Sequence, residues 1–289
     1  MTMSLATPMP VVAAQRKYNV TDLTITIVTC AGILVIFALP MLWIVFKALQ
    51  PEKDVFSTNL IPSALTLENF GRAIKTGFLG QYTLSTTLLS AATCLVVLPL
   101  GFLSGYALAR FSFIGRGLAL FLFMFSLTIP GLVNLLAIYQ AFSWLRLINN
   151  PIALVIVYSA SSLPLATWLS RAFVLAIPRE IEEAGLVDGC SRLACIWRIA
   201  LPLCLPGLGA IAVFVVVHVF QEFIVAQTLM TAKGMGVVSQ GLRMLQDQYS
   251  LDFTALAAGS ILVSLVPVGL FLLLQRQFIA GMTAGSVTN

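Results

Sequence analysis

Six stretches of this chain carry no Asp, Glu, Lys or Arg: 23–46, 76–109, 117–145, 147–170, 199–221 and 253–275. Each exceeds the ~20 residues that a helix needs, at about 1.5 Å per residue, to cross a hydrocarbon core of ~30 Å. A charge at mid-bilayer costs about 2.5–3.5 kcal/mol on insertion scales, so charge-free runs of this length mark candidate crossings. Blocks such as 31–45 and 255–274 are apolar on every side and lack the alternation of a barrel wall. The pattern predicts an all-α integral membrane protein. Six transmembrane helices would fill residues 23–275, between an N-terminal tail at 1–22 and a C-terminal tail at 276–289. Pro40, Pro99, Pro130, Pro164 and Pro267 fall inside the windows. In a bundle, neighbouring helices re-satisfy the carbonyls that a proline frees, so these positions predict bends.

Composition excludes several classes. Hydrophobic residues make up 59% and charged residues 9% of the chain, against roughly 45–50% and about 25% in soluble domains. Sixteen basic and eleven acidic residues give a formal charge of +5, but the basic residues are scattered between apolar blocks, which argues against nucleic acid as a partner. Cys30, Cys94, Cys190, Cys195 and Cys204 form no C-x-x-C pair, and His218 is the single histidine, so no metal cluster is expected. No glycine-rich loop ending in Gly-Lys-Ser/Thr occurs, so the chain does not hydrolyse a nucleotide by that route. The first window outruns a signal-peptide apolar core and no cleavage site follows it, which predicts a retained anchor. The uncharged stretch before it, with Pro8 and Pro10, reads as a loosely ordered tail.

With the N-terminus in the cytoplasm, inside segments hold nine basic residues and outside segments seven. The short turn from Arg110 to Arg116 argues more strongly for this orientation, because the positive-inside effect acts through short loops. Between the fourth and fifth windows, residues 171–202 hold four arginines and four acids. Pro178 can open a helix there, Glu180, Glu182 and Glu183 suit its positive end, and Gly189 can close it. Ser191 can cap a second helix whose apolar stripe (Leu193, Ile196, Trp197, Ile199, Ala200) runs until Pro202 breaks it. Such a hairpin could rest on lipid headgroups. It could equally serve as a lever through which an external motor moves spanning helices. In that role Glu183 offers a charged anchor, Ala184 and Gly185 admit a close partner surface, and Leu201–Pro202 pass motion to the fifth window.

The spacing Glu183-Ala184-Gly185, three residues to Gly189, nine more to Ile199-Ala200-Leu201-Pro202 resembles the cytoplasmic loop motif of ABC importer permeases, and Asp188 agrees as well. Gly185 stands where a second alanine is common, a change that costs a helix up to ~1 kcal/mol. Tyr106-Ala107-Leu108-Ala109-Arg110-Phe111 with Gly115-Arg116 is similar to the turn after the second span in the maltose-type, carbohydrate branch. Gln275-Arg276 through Val287 is similar to that branch's C-terminal end. Phe220-Gln221-Glu222-Phe223-Ile224 lies where sugar permeases often carry Trp-Asn-Glu-Phe-Leu. Residues 48–80, with Leu65-Thr66-Leu67-Glu68-Asn69-Phe70, are similar to the stretch after the first span that in sugar permeases usually precedes a short helix.

That resemblance implies a six-helix ABC importer permease whose coupling helices dock on an ATPase dimer, with no cofactor on this chain and ATP and Mg bound by the ATPase. It implies a second permease subunit, an extracytoplasmic solute-binding protein and a sugar as the small-molecule substrate, in a bacterial inner membrane whose lipids surround the bundle. It implies that Thr283, Ala284 and Gly285 reach the ATPase interface, and that the loop holding Gly234, Gly236 and Gly241 meets the solute-binding protein, its glycines giving freedom to adapt. Glu222 and His218, four residues apart, with Gln221 and Asn134, are candidates for the translocation path. A structural pairing of Glu222 with His218 is the plainer alternative, and interhelical hydrogen bonds are an equally good use of the remaining polar residues. Rival readings are an importer of a non-sugar solute, a motor-free secondary transporter, and an intramembrane enzyme. The last two lack the dispersed titratable groups or convergent catalytic set that they need.

Overall fold

The computed structural model describes residues 20–54, 62, 64–231, 236–246 and 252–284, the side chains of 20–22, 132 and 276–284 excepted. Every helix or strand assigned among them is helical, as expected where backbone groups must be satisfied within each segment. Helices long and apolar enough to cross a membrane lie in α1 (Val20–Leu49), α3 (Leu79–Arg110), α6 (Pro151–Ala176), the run Arg192–Gln221, and α12 (Phe253–Ala284). Between α1 and α3 comes the short α2 (Glu68–Thr76).

The chain divides into Met1–Ile44 and Val45–Asn289. Within the first unit, the described part of α1 is exposed along nearly its whole length, with Leu34, Ile36 and Phe37 each about 70% exposed. The second unit holds the end of α1 and all the later helices.

The window 117–145 departs from expectation. It folds as two short helices, α4 (Arg116–Ser126) and α5 (Leu135–Trp144), with a 3-10 turn at Gly131–Asn134 between them. Among the described residues five helices are long and apolar enough to cross a membrane, and neither α4 nor α5 is one of them. Pro130 supplies no N–H and disfavours helical geometry at Ile129, and Gly131 adds no propensity. Before the break, the Ser126 and Thr128 hydroxyls donate to the carbonyls of Phe123 and Phe125 (2.8 and 2.7 Å). The Leu127 and Thr128 amides tighten into bonds three residues back. By contrast, Pro40, Pro99, Pro164 and Pro267 lie inside continuous helices.

The centre of the second unit is α3 against α6 and α9 (Leu201–Gln221), with Phe102, Tyr106, Ala166, Val174 and Ile211 buried between them. Close approach depends on small residues. A Cβ on Gly101 would lie 2.9 Å from the Ala166 Cβ, and one on Gly105 would lie 2.7 Å from the Arg171 amide nitrogen and 2.9 Å from the Thr167 carbonyl. Gly101 and Gly105 thus form a G-x-x-x-G face on which α6 packs, a device suited to lipid, where burial of apolar surface drives little association.

At one end of this unit, Asn69 of α2 donates to the carbonyls of Ala48 and Gln50 (2.8 Å each). Arg72 pairs with Glu52 and Asp252 and donates to the Thr254 hydroxyl (2.9 Å), so α2 is tied to the start of α12. The opposite end carries Arg110 and the polar segment 171–202.

Gly105→Leu should lower the thermal stability of the purified protein by an amount consistent with about 1–3 kcal/mol of overpacking, because backbone atoms cannot yield. Gly117→Leu, where nothing lies within 4 Å, should leave the melting temperature unchanged in the same assay.

Candidate functional site

The polar segment builds an elbow. Helix α7 (Arg179–Val187) starts after Pro178, with Glu180 and Glu182 in its first turn, where the positive end of the helix dipole favours carboxylates. It stops through a Schellman-type turn. The Cys190 amide donates to the Gly185 carbonyl (3.0 Å) and the Gly189 amide to Leu186 (3.1 Å), while Gly189 takes φ +88°. Only glycine enters that left-handed region without strain. The Ser191 hydroxyl then caps α8 (Arg192–Cys195) by accepting from the Ala194 amide at 3.2 Å.

Pro202 does not break the second arm of the elbow, which corrects the sequence expectation. Helix α8 widens into a π turn at Ile196–Ala200 and continues into α9, so Arg192–Gln221 is one run of 30 residues. Pro202 sits in the first turn of α9. A wider turn ahead of it accommodates both the missing N–H and the ring. The distal arm of the elbow is consequently the same rod as the spanning helix.

The residues singled out in sequence separate into two sets. Gly185 is buried, and a Cβ there would come within 2.5 Å of Ile199 Cδ1. Gly185 and Ile199 therefore form the inner joint between α7 and the rod instead of a partner surface. Glu183, Ala184, Asp188, Gly189 and Pro202 are exposed, and Leu201 is half-buried.

The buried charge of the elbow is Glu182, which the sequence reading used only as a helix-start residue. Its carboxylate accepts from the Tyr106 hydroxyl (2.6 Å) and from Arg110 Nε (2.8 Å), and Arg110 Nη2 lies 2.7 Å from the same Oε1. Arg110 Nη2 also donates to the Ile177 carbonyl at the end of α6 (2.8 Å). Both charged side chains are about 10% exposed or less. This clamp joins the C-terminal end of α3 to α6 and α7. A sequence signal existed: Tyr106 and Arg110 are one helical turn apart at the end of an apolar window, beside a loop holding acids. A cleft of about 230 Å³ opens beside the clamp, lined by Arg179, Glu183, Leu186 and Arg192.

Of the path candidates, Asn134, His218 and Glu222 line one cavity, and Gln221 lines a second that also touches His218. Glu222 ends α9 and opens α10 (Ile224–Leu229). Its carboxylate accepts from the Tyr158 hydroxyl (2.9 Å) and the amides of Val225 (2.8 Å) and Ala226 (3.1 Å).

Gly236 and Gly241 do not lend freedom to an exposed loop. Both are buried, packed on Tyr82, with α11 (Val238–Met244) held by a bond from the Val238 amide to the Thr86 hydroxyl (2.8 Å). They are small so that this segment can seat on α3. Gly234 lies outside the described residues. Thr283 and Ala284 belong to the end of α12, which runs on past residue 275, and Gly285 lies outside the described residues.

Residues 97–282 match the family described as binding-protein-dependent transport system inner membrane component. The chain is similar to a "probable ABC transporter permease protein" of Bacillus subtilis, 31% identical over 255 residues, covering 88% of this chain and 85% of that protein. It is also similar to the sulfoquinovosyl glycerol transport system permease protein of Agrobacterium fabrum, 28% identical over 261 residues, covering 89% and 91%. Among solved structures, a crystal structure of a bacterial ABC transporter involved in the import of the acidic polysaccharide alginate matches with a TM-score of 0.71 at 20% identity. That match covers 90% of this chain and 98% of the other.

Glu182→Ala should destabilise the protein by about 3–5 kcal/mol, because Arg110 is left buried without its counter-charge; the readout is thermal unfolding in detergent. Gly185→Ala should lower stability more modestly, and Ile199→Val should restore it in the double variant by removing the colliding methyl.

Proposed function

The chain belongs to the binding-protein-dependent transport system inner membrane component family, and from that premise we propose that its elbow receives the stroke of a separate ATPase and turns it into movement of the spanning helices. Membership makes it a non-catalytic, multi-pass membrane subunit of an ABC importer, a class that works with an ATPase and a solute-binding protein. The observation that carries the finer reading is the joining of α8 to α9 without a break, together with the clamp from Glu182 to Arg110. A load applied to α7 and α8 reaches α9 through a stiff rod and reaches α3 and α6 through a buried ion pair.

In this reading Glu183, Ala184, Asp188 and Gly189 face the ATPase, while Gly185, Ile199, Leu201 and Pro202 keep the elbow rigid. Leu193 and Trp197, exposed on the rod at 63% and 46%, offer it apolar contact. The elbow and both termini lie in the cytoplasm. The pair α4–α5 makes the third of six crossings, broken at its middle. The exposed apolar faces meet lipid and a second permease subunit. Thr283, Ala284 and Gly285 approach the ATPase dimer, which binds ATP and Mg. The segment holding Gly234, Gly236 and Gly241 lies on the side of the solute-binding protein. The imported solute is a sugar or oligosaccharide, a reading supported by the relative named for a glycoside and by the carbohydrate-type motifs at 106–116 and 275–287.

ATP closure then rocks α3, α6 and α9 against the second permease and exchanges inward for outward opening. Glu183→Ala combined with Leu193→Asp should leave the assembly intact by size-exclusion chromatography yet lower solute imported per ATP hydrolysed by about tenfold, a coupling loss of ~1.4 kcal/mol. Wild-type coupling in that variant would contradict the role given to the elbow.

A further inference from the structure

Two interruptions of helix meet at one place in this fold. One is the stretch between α4 and α5, in the middle of the charge-free window 117–145; the other is Glu222–Phe223, between α9 and α10. Gly131 and Asn134 from the first and Glu222 and Val225 from the second line a single cavity of about 460 Å³. Non-helical backbone at membrane depth is tolerated where protein buries it or where it lines a water-filled space. Ile129, Gly131 and Asn134 are exposed, so burial within this chain does not account for the first break.

Polar side chains collect at the same spot. Ser161, ten residues and therefore about 15 Å along α6, has its hydroxyl 3.1 Å from His218 Nε2. A second cavity, also about 460 Å³, shares Ser161 and His218 and adds Ser162 and Gln221 among Leu165 and Phe214. Ser162 is 9% exposed, and its hydroxyl has no hydrogen-bond partner among the described residues. Each volume falls in the range of about 300–1,000 Å³ usual for small-molecule sites.

The charge inventory narrows the ligand. Among the described residues no lysine, arginine or aspartate lines either cavity, and Glu222 is the one carboxylate. That carboxylate is held by a tyrosine hydroxyl and two backbone amides. An anionic solute would lose its hydration without gaining a counter-charge and would face the Glu222 carboxylate. A neutral polyhydroxyl solute gains hydroxyl, amide and imidazole partners, and its C–H faces can rest on Leu165 and Phe214.

We propose that these paired cavities are a solute subsite carried by this chain, in which Asn134, Ser161, His218 and Gln221 bind a neutral polyhydroxyl solute. The proposal rests on the transport role given above and deepens it by placing solute contact on this subunit and by excluding anionic cargo from it.

The test uses the complete transporter, with its ATPase and solute-binding protein, in liposomes. Asn134→Cys, Ser161→Cys and, as a control on an apolar face, Leu95→Cys are treated with the water-borne reagent 2-sulfonatoethyl methanethiosulfonate, with the unsubstituted chain as baseline. The first two should be modified and the Leu95 variant should match the baseline; protection of both Asn134→Cys and Ser161→Cys would overturn the subsite. In parallel, import of cellobiose, galactobiose, raffinose and anionic sulfoquinovose is measured. For a neutral probe that the wild type imports, Asn134→Leu and His218→Leu should each raise KM about tenfold with ATP hydrolysis still coupled. Import of sulfoquinovose alone, or an unchanged KM in both variants, would overturn the ligand class. A wild-type assembly that imports nothing and holds no ATPase would refute the transport role instead, and the labelling result would still decide the cavity.

Discussion

The buried ion pair between Glu182 and Arg110 is the contact on which the architecture of the elbow depends. Taking two charges out of water is unfavourable by several kcal/mol per ion, and attraction alone offsets this only when the remaining lone pairs and protons are also met. Here they are. Tyr106 donates to the second carboxylate oxygen, and Arg110 reaches the carbonyl that ends α6. The result is a junction of α3, α6 and α7 that cannot be loosened gradually, because separating the partners leaves a charge stranded. A junction of that kind passes displacement from one element to the next instead of absorbing it.

The rest of the bundle obeys the bilayer's demand that backbone groups be satisfied within each segment. Charge-free windows located five long helices, although α6, the run Arg192–Gln221 and α12 extend six, seven and nine residues beyond a window end, because a helix can continue past the charge that closes the window. Window 117–145 was misread because length and apolarity measure only whether a segment tolerates lipid, not whether it is one helix. Pro130 followed by Gly131 carried the missing information, and it differs from Pro99 or Pro164 in having a glycine directly behind it. The G-x-x-x-G face at Gly101 and Gly105 was equally readable, yet it becomes meaningful only once α6 is known to lie against it.

The elbow was legible in outline and misassigned in detail. Spacing identified the hairpin, the Ser191 cap and the Gly189 turn, all of which are local. It could not tell which of two adjacent glutamates faces inward, because that is decided by Arg110, 72 residues away in sequence. Nor could it show that Gly185 serves Ile199 and not a partner. Pro202 looked like a terminator because a proline ordinarily is one; the π turn that lets the helix pass it is a tertiary accommodation. Gly236 and Gly241 illustrate the same limit, since a glycine that allows motion and one that allows close packing read alike.

The central claim is that the elbow and α9 move as one body. Spin labels placed at Val187 and Phe214, exposed at 87% and 48%, in a background with the native cysteines replaced, report their separation by pulsed electron resonance in the complete transporter. The account predicts one distance distribution that stays the same without nucleotide and with ATP bound, while the distance from Val187 to a label on the second permease changes. A shift of about 5 Å or more between Val187 and Phe214, the size of a one-turn slip of one element past another, would contradict it.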